Sequence, residues 1–514
     1  MAEASWATYR LFPYERILAA REVEVLTGEP ATPTSAGFQF SDAGVQRVVD
    51  RATYFKAVHS LDSDGSTLQA LAEQRHAALR GVEQRRQATR YGLHGIHEYK
   101  GKFNPQVVRA LTNIIDVEAG VLLDPFCGSG TSLVEAVRLG MHAVGVDRSP
   151  MAVFLASGKA RALAEPDYGA VRGAFATFVG DLAAEMKEAQ QSVVIPSLDG
   201  VLAPESQAYL LSWFPRASLA AVAVALRSTA RAAPRTTVHH LADIALSSIL
   251  RTVSLQLPDD LRVRRRPEPF EPPPVWELFL DACERIEVGL EEMERWPRST
   301  GRADVRLGSA ADHSWFGEHD DPRRRFILTS PPYATALPYV DTDRLSIVAL
   351  RLASVKQVRQ LEMDLVGSRE WRKADEKAWW RRLDANADVL PDAVTRLVQD
   401  IRTRNADGNA GFRRAAVPAL LYRYFARMGE CFDAWRAGLR AGERALLIIG
   451  NNRTTAGGEQ IVIRTPEVLA SVAESRGYAV EEIIPLETWP RYGLHGKNGV
   501  SGEDALVVRR LGGS

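Results

Sequence analysis

Residues 329–344 read TSPPYATALPYVDTDR, and the first five hold an arrangement that a reaction centre could use. Pro331 and Pro332 fix two consecutive φ angles and remove two backbone donors. The result is a rigid, donor-free turn with a hydroxyl, Ser330, before it and an aromatic face, Tyr333, after it. A second stretch, LLDPFCGSGTSLVEAVRLGMHAVGVDRSP, sets Gly128 and Gly130 between an apolar run ending at Asp124 and a helical pattern starting at Thr131. Glycines there let a ligand approach backbone amides closely, and the helix N-terminus favours negative charge. Asp147 closes the next apolar run, where doubly wound folds grip a pair of ribose hydroxyls. Together these residues point to a nucleoside-type cofactor rather than an empty strand-to-helix turn. The GxGxxG dinucleotide fingerprint does not fit, because its third glycine would fall where Leu133 stands.

The surrounding elements must bring these two stretches together. VLLDPF reads as a short buried strand, TSLVEAVRLG as an amphipathic helix ending at Gly140, and HAVGVD as a second strand. Strand signals resume at DVRLG, RRFILTS, RALLIIGNN, GYAVEEIIP and DALVVRRL. Strands alternating with helices predict an α/β fold with a doubly wound, mainly parallel sheet. Residues 1–90 carry apolar residues at helical spacing and are expected to form a helical N-terminal region. The core is assigned to 91–164, 300–352 and 416–514. A helical insertion occupies 165–299, broken by the basic, proline-rich RVRRRPEPFEPPPVW, which cannot be helix. A second polar helical insertion occupies 353–415.

Composition excludes several other classes. The 514 residues are 46% hydrophobic and 25% charged, ordinary values for a soluble globular protein. Cys127, Cys283 and Cys431 form no CxxC pair, which argues against a disulfide framework or a zinc site and for a reducing interior. The start shows no secretory pattern, and no apolar run reaches membrane-spanning length, so a cytoplasmic protein is expected. Lys plus Arg and Asp plus Glu each number 64, so overall charge advertises no nucleic-acid partner.

The glycine stretch resembles the cofactor loop of the S-adenosylmethionine-dependent amino-methyltransferases of DNA, and SPPY resembles their catalytic tetrapeptide. The upstream HGIHEYKGKFNPQVVRAL is similar to the family segment beside the methionine end of the cofactor. The downstream YFARMGECFDAWRAGLRAGERALLIIGNN is similar to the helix and strand that follow the catalytic turn. The likeness covers roughly 91–160, 300–350 and 415–510 and neither insertion. It implies a Rossmann-like methyltransferase fold, S-adenosylmethionine as cofactor, and double-stranded DNA as substrate, in restriction–modification or phage defence with a restriction endonuclease or other defence protein as partner. It implies neither a metal nor a membrane.

The tetrapeptide suits that chemistry. An exocyclic amine is a poor nucleophile because its lone pair is delocalised into the ring. Acceptors against its two hydrogens favour the pyramidal form that attacks a methyl sulfonium, and Ser330 Oγ and the Pro331 carbonyl are assigned as that pair, with Pro332 stiffening the turn. Tyr333 is assigned to stack on the base once it leaves the duplex. Serine in the first position is the form associated with cytosine-N4 enzymes, so cytosine is expected ahead of adenine. Cytosine-C5 methylation needs a Pro-Cys nucleophile, and no such dipeptide occurs. The three cysteines are expected to pack.

The resemblance also implies cofactor contacts for Lys102, Phe103, Asp124, Phe126, Thr131 and, in GSAADHSW, Asp312. RYGLHG occurs twice, at 90–95 and 491–496. Both copies are expected near the mouth of the site, with His94 or His495 touching phosphate or base. Arg264 and Arg265, within LRVRRRP, are candidate phosphate contacts, as are 323–325 and REWRKADEKAWWRR. Competing readings are an adenine-N6 enzyme, an RNA amino-methyltransferase, and a DNA-binding component without activity.

Overall fold

A computed structural model describes all residues except 61–63, 82–86, 100, 116–119, 258–262, 268–269, 317–322, 335–338, 407–410, 488–501 and 513–514. The chain opens with five short strands, β1 (Ala2–Trp6), β2 (Thr32–Pro33), β3 (Gly37–Phe40), β4 (Phe55–His59) and β5 (Asp64–Ser66). They pair antiparallel in the order β2-β3-β1-β4-β5. This corrects the expectation of a helical N-terminal region. Its two periodic segments do form helices, Pro13–Thr27 and Leu68–Leu79. The strands are two to five residues long, too short for alternation to stand out from noise. β1 gains its strand partners, β3 and β4, only through the fold.

The central sheet comprises β6 (Val121–Asp124), β7 (His142–Asp147), β8 (Arg302–Leu307), β9 (Arg325–Thr329) and β10 (Arg444–Gly450). After a separate hairpin, β11 (Asn452–Ala456) and β12 (Glu459–Ile463), it is completed by β13 (Tyr478–Glu487) and β14 (Gly502–Arg510). Its order is β13-β14-β10-β9-β6-β7-β8. The strands from β10 to β8 are mutually parallel. β14 runs antiparallel to β10, and β13 antiparallel to β14. This is a doubly wound, mainly parallel α/β sheet, as expected.

Side chains of the middle strands alternate between two cores. Leu122, Phe326, Leu328, Leu446 and Ile448 face Val108 and Leu111 of helix Pro105–Ile115, with Leu18 and Val23 of the N-terminal region in the same cluster. Leu123, Ile327, Leu447 and Ile449 face Tyr422, Phe425, Phe432 and Trp435 of helix Val417–Gly438. Burial on both faces is why these strands read as continuous apolar runs rather than alternating ones.

Helix Pro150–Ala164 follows β7, and among the described residues five more, Tyr168–Ser192, Pro204–Trp213, Arg216–Arg231, Thr237–Ile249 and Val275–Glu294, fill the rest of the segment before β8. They build a third core that includes Phe175, Leu226, Leu246 and Phe279. Helices Val355–Asp364, Lys373–Asp384 and Asp392–Arg404 lie between β9 and β10. The described part of the proline-rich connector is not helical up to Pro274: Arg265 bridges Gln256, and Arg266 N donates to Leu255 O at 2.8 Å. Its last two residues, Val275 and Trp276, instead open helix Val275–Glu294, which corrects the expectation for them.

Candidate functional site

Chain order along the sheet locates a crevice. From β6 the chain steps outward through β7 to β8, then returns to the other side of β6 as β9 and steps away through β10. The switch point, where open α/β sheets bind ligands beyond the carboxyl ends of their strands, therefore lies between β6 and β9. The glycine turn leaves β6 there and the SPPY turn leaves β9. Two stretches 200 residues apart in the chain become neighbours because Leu123 pairs with Ile327 in register.

Asp124 locks the two turns together. One carboxylate oxygen accepts from Thr329 Oγ1 at 2.6 Å and from Phe126 N at 3.1 Å, and the other accepts from Ser132 Oγ. The side chain is fully buried, and burial raises its pKa to about 6 despite these donors. Its acceptor atoms bind the strand, the turn and the following helix. Thr131, buried at the start of that helix, is likewise inside the scaffold.

In the glycine turn both glycines have positive φ, +49° at Gly128 and +80° at Gly130. A Cβ at Gly128 would lie 3.2 Å from the Tyr99 ring, and one at Gly130 would lie 3.1 Å from Ala156 Cβ. Side chains are excluded on both counts, so a ligand can come close to the backbone here, although the Gly128 and Gly130 amides themselves donate to Asp147 and to Cys127 O. Tyr99 comes from the HGIHEYKGKF segment, which the fold lays against the turn. Cys127 is buried against Gly145, its thiol pushed well above the usual range by burial, in keeping with a packing role. Phe126 is half-buried, edge-on to Trp435 with centroids 6.4 Å apart.

Asp147 ends β7 beside this turn. Its oxygens accept from Gly128 N at 2.9 Å and Ser149 N at 2.8 Å, and burial raises its pKa to about 6. Ribose hydroxyls would donate to the ionised form. Asp147→Ala is expected to weaken cofactor binding by about 1–3 kcal/mol in calorimetry. The same protonation gives a sign: below pH 6 the free protein must lose a proton to bind. Wild-type affinity should therefore fall with acidification, by up to about tenfold per pH unit, and level off above 7. A flat profile, or unchanged affinity in the variant, would remove Asp147 from the pocket.

Three further cofactor assignments look elsewhere. Lys102 Nζ donates to Thr89 O at 3.2 Å and His94 O at 2.7 Å, tying its own segment to the first RYGLHG loop. Phe103 packs, half-buried, against the core under the N-terminal region. Asp312 is exposed and accepts from Ser314 N at 2.9 Å, capping the short turn Ser314–Phe316. The loop itself is well anchored beside β7 and β8: Trp315 Nε1 donates to Ser309 O at 3.1 Å and Trp435 Nε1 to Ala310 O at 3.0 Å.

The SPPY turn is held at both ends and open in the middle. Pro331 is buried, while Ser330, Pro332 and Tyr333 are half-buried. Beyond the Thr329 clamp, Asn452 Nδ2 donates to Ala334 O at 2.5 Å, and Tyr333 OH donates to Glu503 Oε1 at 2.5 Å. Among the described residues, Ser330 Oγ makes no hydrogen bond, so it remains available to a ligand. Glu503, Asn452, Ser132, Thr329 and Tyr99 were not singled out by sequence. Thr329 sits immediately before the tetrapeptide and Asn452 in the quoted GNN, but only strand register shows that either reaches the turn.

His94 was expected at the mouth of the site, and it is found inside its own loop. It is 1% exposed, and its Nε2 shares a hydrogen with Glu135 Oε1 at 2.8 Å; burial lowers its pKa to about 3. The first RYGLHG copy is thus a structural loop, fastened to helix Thr131–Arg138 through His94 and through Tyr91, whose OH reaches Glu135 Oε1 at 3.0 Å. His495 and the second copy lie outside the described residues. Arg264 and Arg265 are exposed on the strand-like connector. Among the described residues no group of three or more His, Cys, Asp or Glu could hold a metal ion, and no helix is long and apolar enough to cross a membrane.

Residues 96–191 match the family described as UPF0020, RMKL-like, methyltransferase domain. Over 67 residues the chain is 42% identical to Type II methyltransferase M.MjaII of Methanocaldococcus jannaschii, covering 13% of each protein. It is 23% identical over 299 residues to Type II methyltransferase M.MvaI of Kocuria varians, covering 54% of this chain and 62% of that one. Over 50 residues it is 44% identical to tRNA (guanine(10)-N2)-dimethyltransferase of Methanothermobacter thermautotrophicus, covering 10% and 15% of the two chains. The chain spans less than two thirds of the length of each of these relatives. The domain match supports a methyltransferase domain, for which S-adenosylmethionine is the implied methyl donor. The residues fit that cofactor: a glycine cradle that any Cβ would crowd, and a carboxylate at the end of the adjoining strand.

Proposed function

We propose that the chain is a DNA methyltransferase that transfers a methyl group from S-adenosylmethionine to the exocyclic N4 amine of cytosine. One observation carries this reading: the glycine turn and the SPPY turn flank the sheet's switch point and share Asp124 as a common clamp. The cofactor supplies an electrophilic methyl group when bound. Gly128, Gly130 and Asp147 then orient its nucleoside. Ser330 Oγ and the Pro331 carbonyl accept from the two amine hydrogens of the base, which localises the nitrogen lone pair. Tyr333 presents a ring against the base, steadied by its bond to Glu503.

A base inside a duplex cannot reach an acceptor in a strand-end crevice, so the target nucleotide leaves the stack. Exposed Arg264 and Arg265 stand on the helical insertion, which is assigned to DNA recognition. Restriction–modification is the setting suggested by the names of the type II relatives, with a restriction endonuclease as companion, in a cytoplasmic compartment.

The likeness to a tRNA guanine-N2 enzyme and the RMKL-like domain match favour a second reading, transfer to an exocyclic amine of RNA. Both readings use the same two turns. Incubating the protein with labelled cofactor and either duplex DNA or tRNA, then digesting to nucleosides for mass spectrometry, separates them. N4-methyldeoxycytidine is the expected product. N6-methyldeoxyadenosine alone would overturn the base assignment, and label confined to tRNA would overturn DNA as substrate.

A further inference from the structure

A lysine lies buried directly behind the glycine turn. Lys159, on helix Pro150–Ala164, is 1% exposed, and its Nζ approaches Ser129 Oγ at 3.4 Å, long for a hydrogen bond. Its direction is set by the helix: Ala156, one turn earlier on the same face, is the residue that packs on Gly130. Among the described residues Lys159 forms no ion pair. The carboxylate of this region, Glu135, is already engaged by Arg109, Arg138, His94 and Tyr91.

The other titratable groups around Lys159 add no negative charge. His94, His97 and Lys102 all feel its positive charge, and the Cys127 thiol is held protonated by burial. Burial lowers the Lys159 pKa to about 7. A dry ammonium without a counter-ion is costly to the fold, and an anion delivered to this spot would relieve that cost. The loop in front of it is the one read here as the cofactor cradle, and Tyr99 closes its other side.

We propose that Lys159 is the counter-ion for the carboxylate of the cofactor's amino-acid tail. The assignment rests on the cofactor reading of the glycine turn and adds the group that recognises the tail. It follows that the site discriminates between nucleosides with and without that carboxylate, and that Lys159 is a binding residue with no part in the methyl transfer itself.

Calorimetry on the full chain tests this with S-adenosylhomocysteine, its decarboxylated analogue and 5′-methylthioadenosine. The intact protein should bind S-adenosylhomocysteine about 10–100-fold more tightly than the decarboxylated analogue. Lys159→Met should lose most of that preference while its affinity for 5′-methylthioadenosine stays within about twofold. Its melting temperature without ligand should rise, because a buried unpaired charge has gone. Lys159→Arg, which keeps the charge, should retain part of the preference and serves if the methionine variant does not fold. An intact protein indifferent to the carboxylate would overturn the proposal. So would a methionine variant that weakens all three ligands equally, which would mean Lys159 only props the turn. An intact protein that binds none of the three would instead sink the cofactor reading beneath it.

Discussion

Ser330→Ala is expected to lower methyl transfer on the order of 10²–10³-fold while cofactor affinity stays within about twofold of wild type. The hydroxyl is half-buried beside buried Pro331, at the end of a strand whose neighbour carries the cofactor turn. On the proposed reading, removing it takes away one of two acceptors for the amine but leaves the Thr329–Asp124 clamp intact. Tyr333→Ala removes the stacking face, worth roughly 1–3 kcal/mol per base, and also frees Glu503. Tyr333→Phe separates these effects, since it keeps the ring and loses only the tether. Single-turnover rates beside calorimetric cofactor affinity decide the matter. A Ser330→Ala enzyme with normal turnover would show that the amine acceptor lies elsewhere.

Glu135→Ala should be the most destabilising single change near the site, by about 3–5 kcal/mol in urea unfolding, because it strands buried cations. Glu135 is fully buried and meets Arg138 Nη1 at 2.8 Å, His94 Nε2 at 2.8 Å and Arg109 Nη1 at 3.3 Å. Burial opposes its charge, but Arg138, His94 and Arg109 outweigh that and hold its pKa well below the ordinary value. A carboxylate depressed in this way stabilises the fold fully above its unfolded value, near about 4.3. The gap between wild type and variant should therefore be complete at pH 7 and shrink only as pH falls below that value. A loss under about 1 kcal/mol at pH 7 would mean that the cluster relaxes or admits water.

Much of the candidate site was legible because its geometry depends on local constraints. Two prolines before a tyrosine make a rigid turn in any context, and glycines between a strand and a helix N-terminus let the chain turn through positive φ without side chains in the way wherever the pair occurs. Continuous apolar runs such as RFILT and RALLIIG announced strands buried on both faces. The helical insertions were readable from periodicity alone.

Other features depended on which distant residues the fold made neighbours. His94, as RYGLHG, could equally have lined a mouth or a core; Glu135, 41 residues on, drew it inside. Asp124 and Lys102 were assigned to the cofactor, yet both satisfy the scaffold, because a buried charged group first answers the donors or acceptors nearest to it. The strands of the N-terminal region needed one another to exist. By itself, then, the sequence determined the parallel sheet, the glycine turn and the rigid proline turn, since each follows from backbone preferences within a few residues. Tertiary structure alone decided that the two turns meet at the switch point, that Glu503 and Asn452 brace the second of them, and that Lys159 sits behind the first without a counter-ion among the described residues. Those facts rest on strand register and burial, which bring together residues that no local pattern connects.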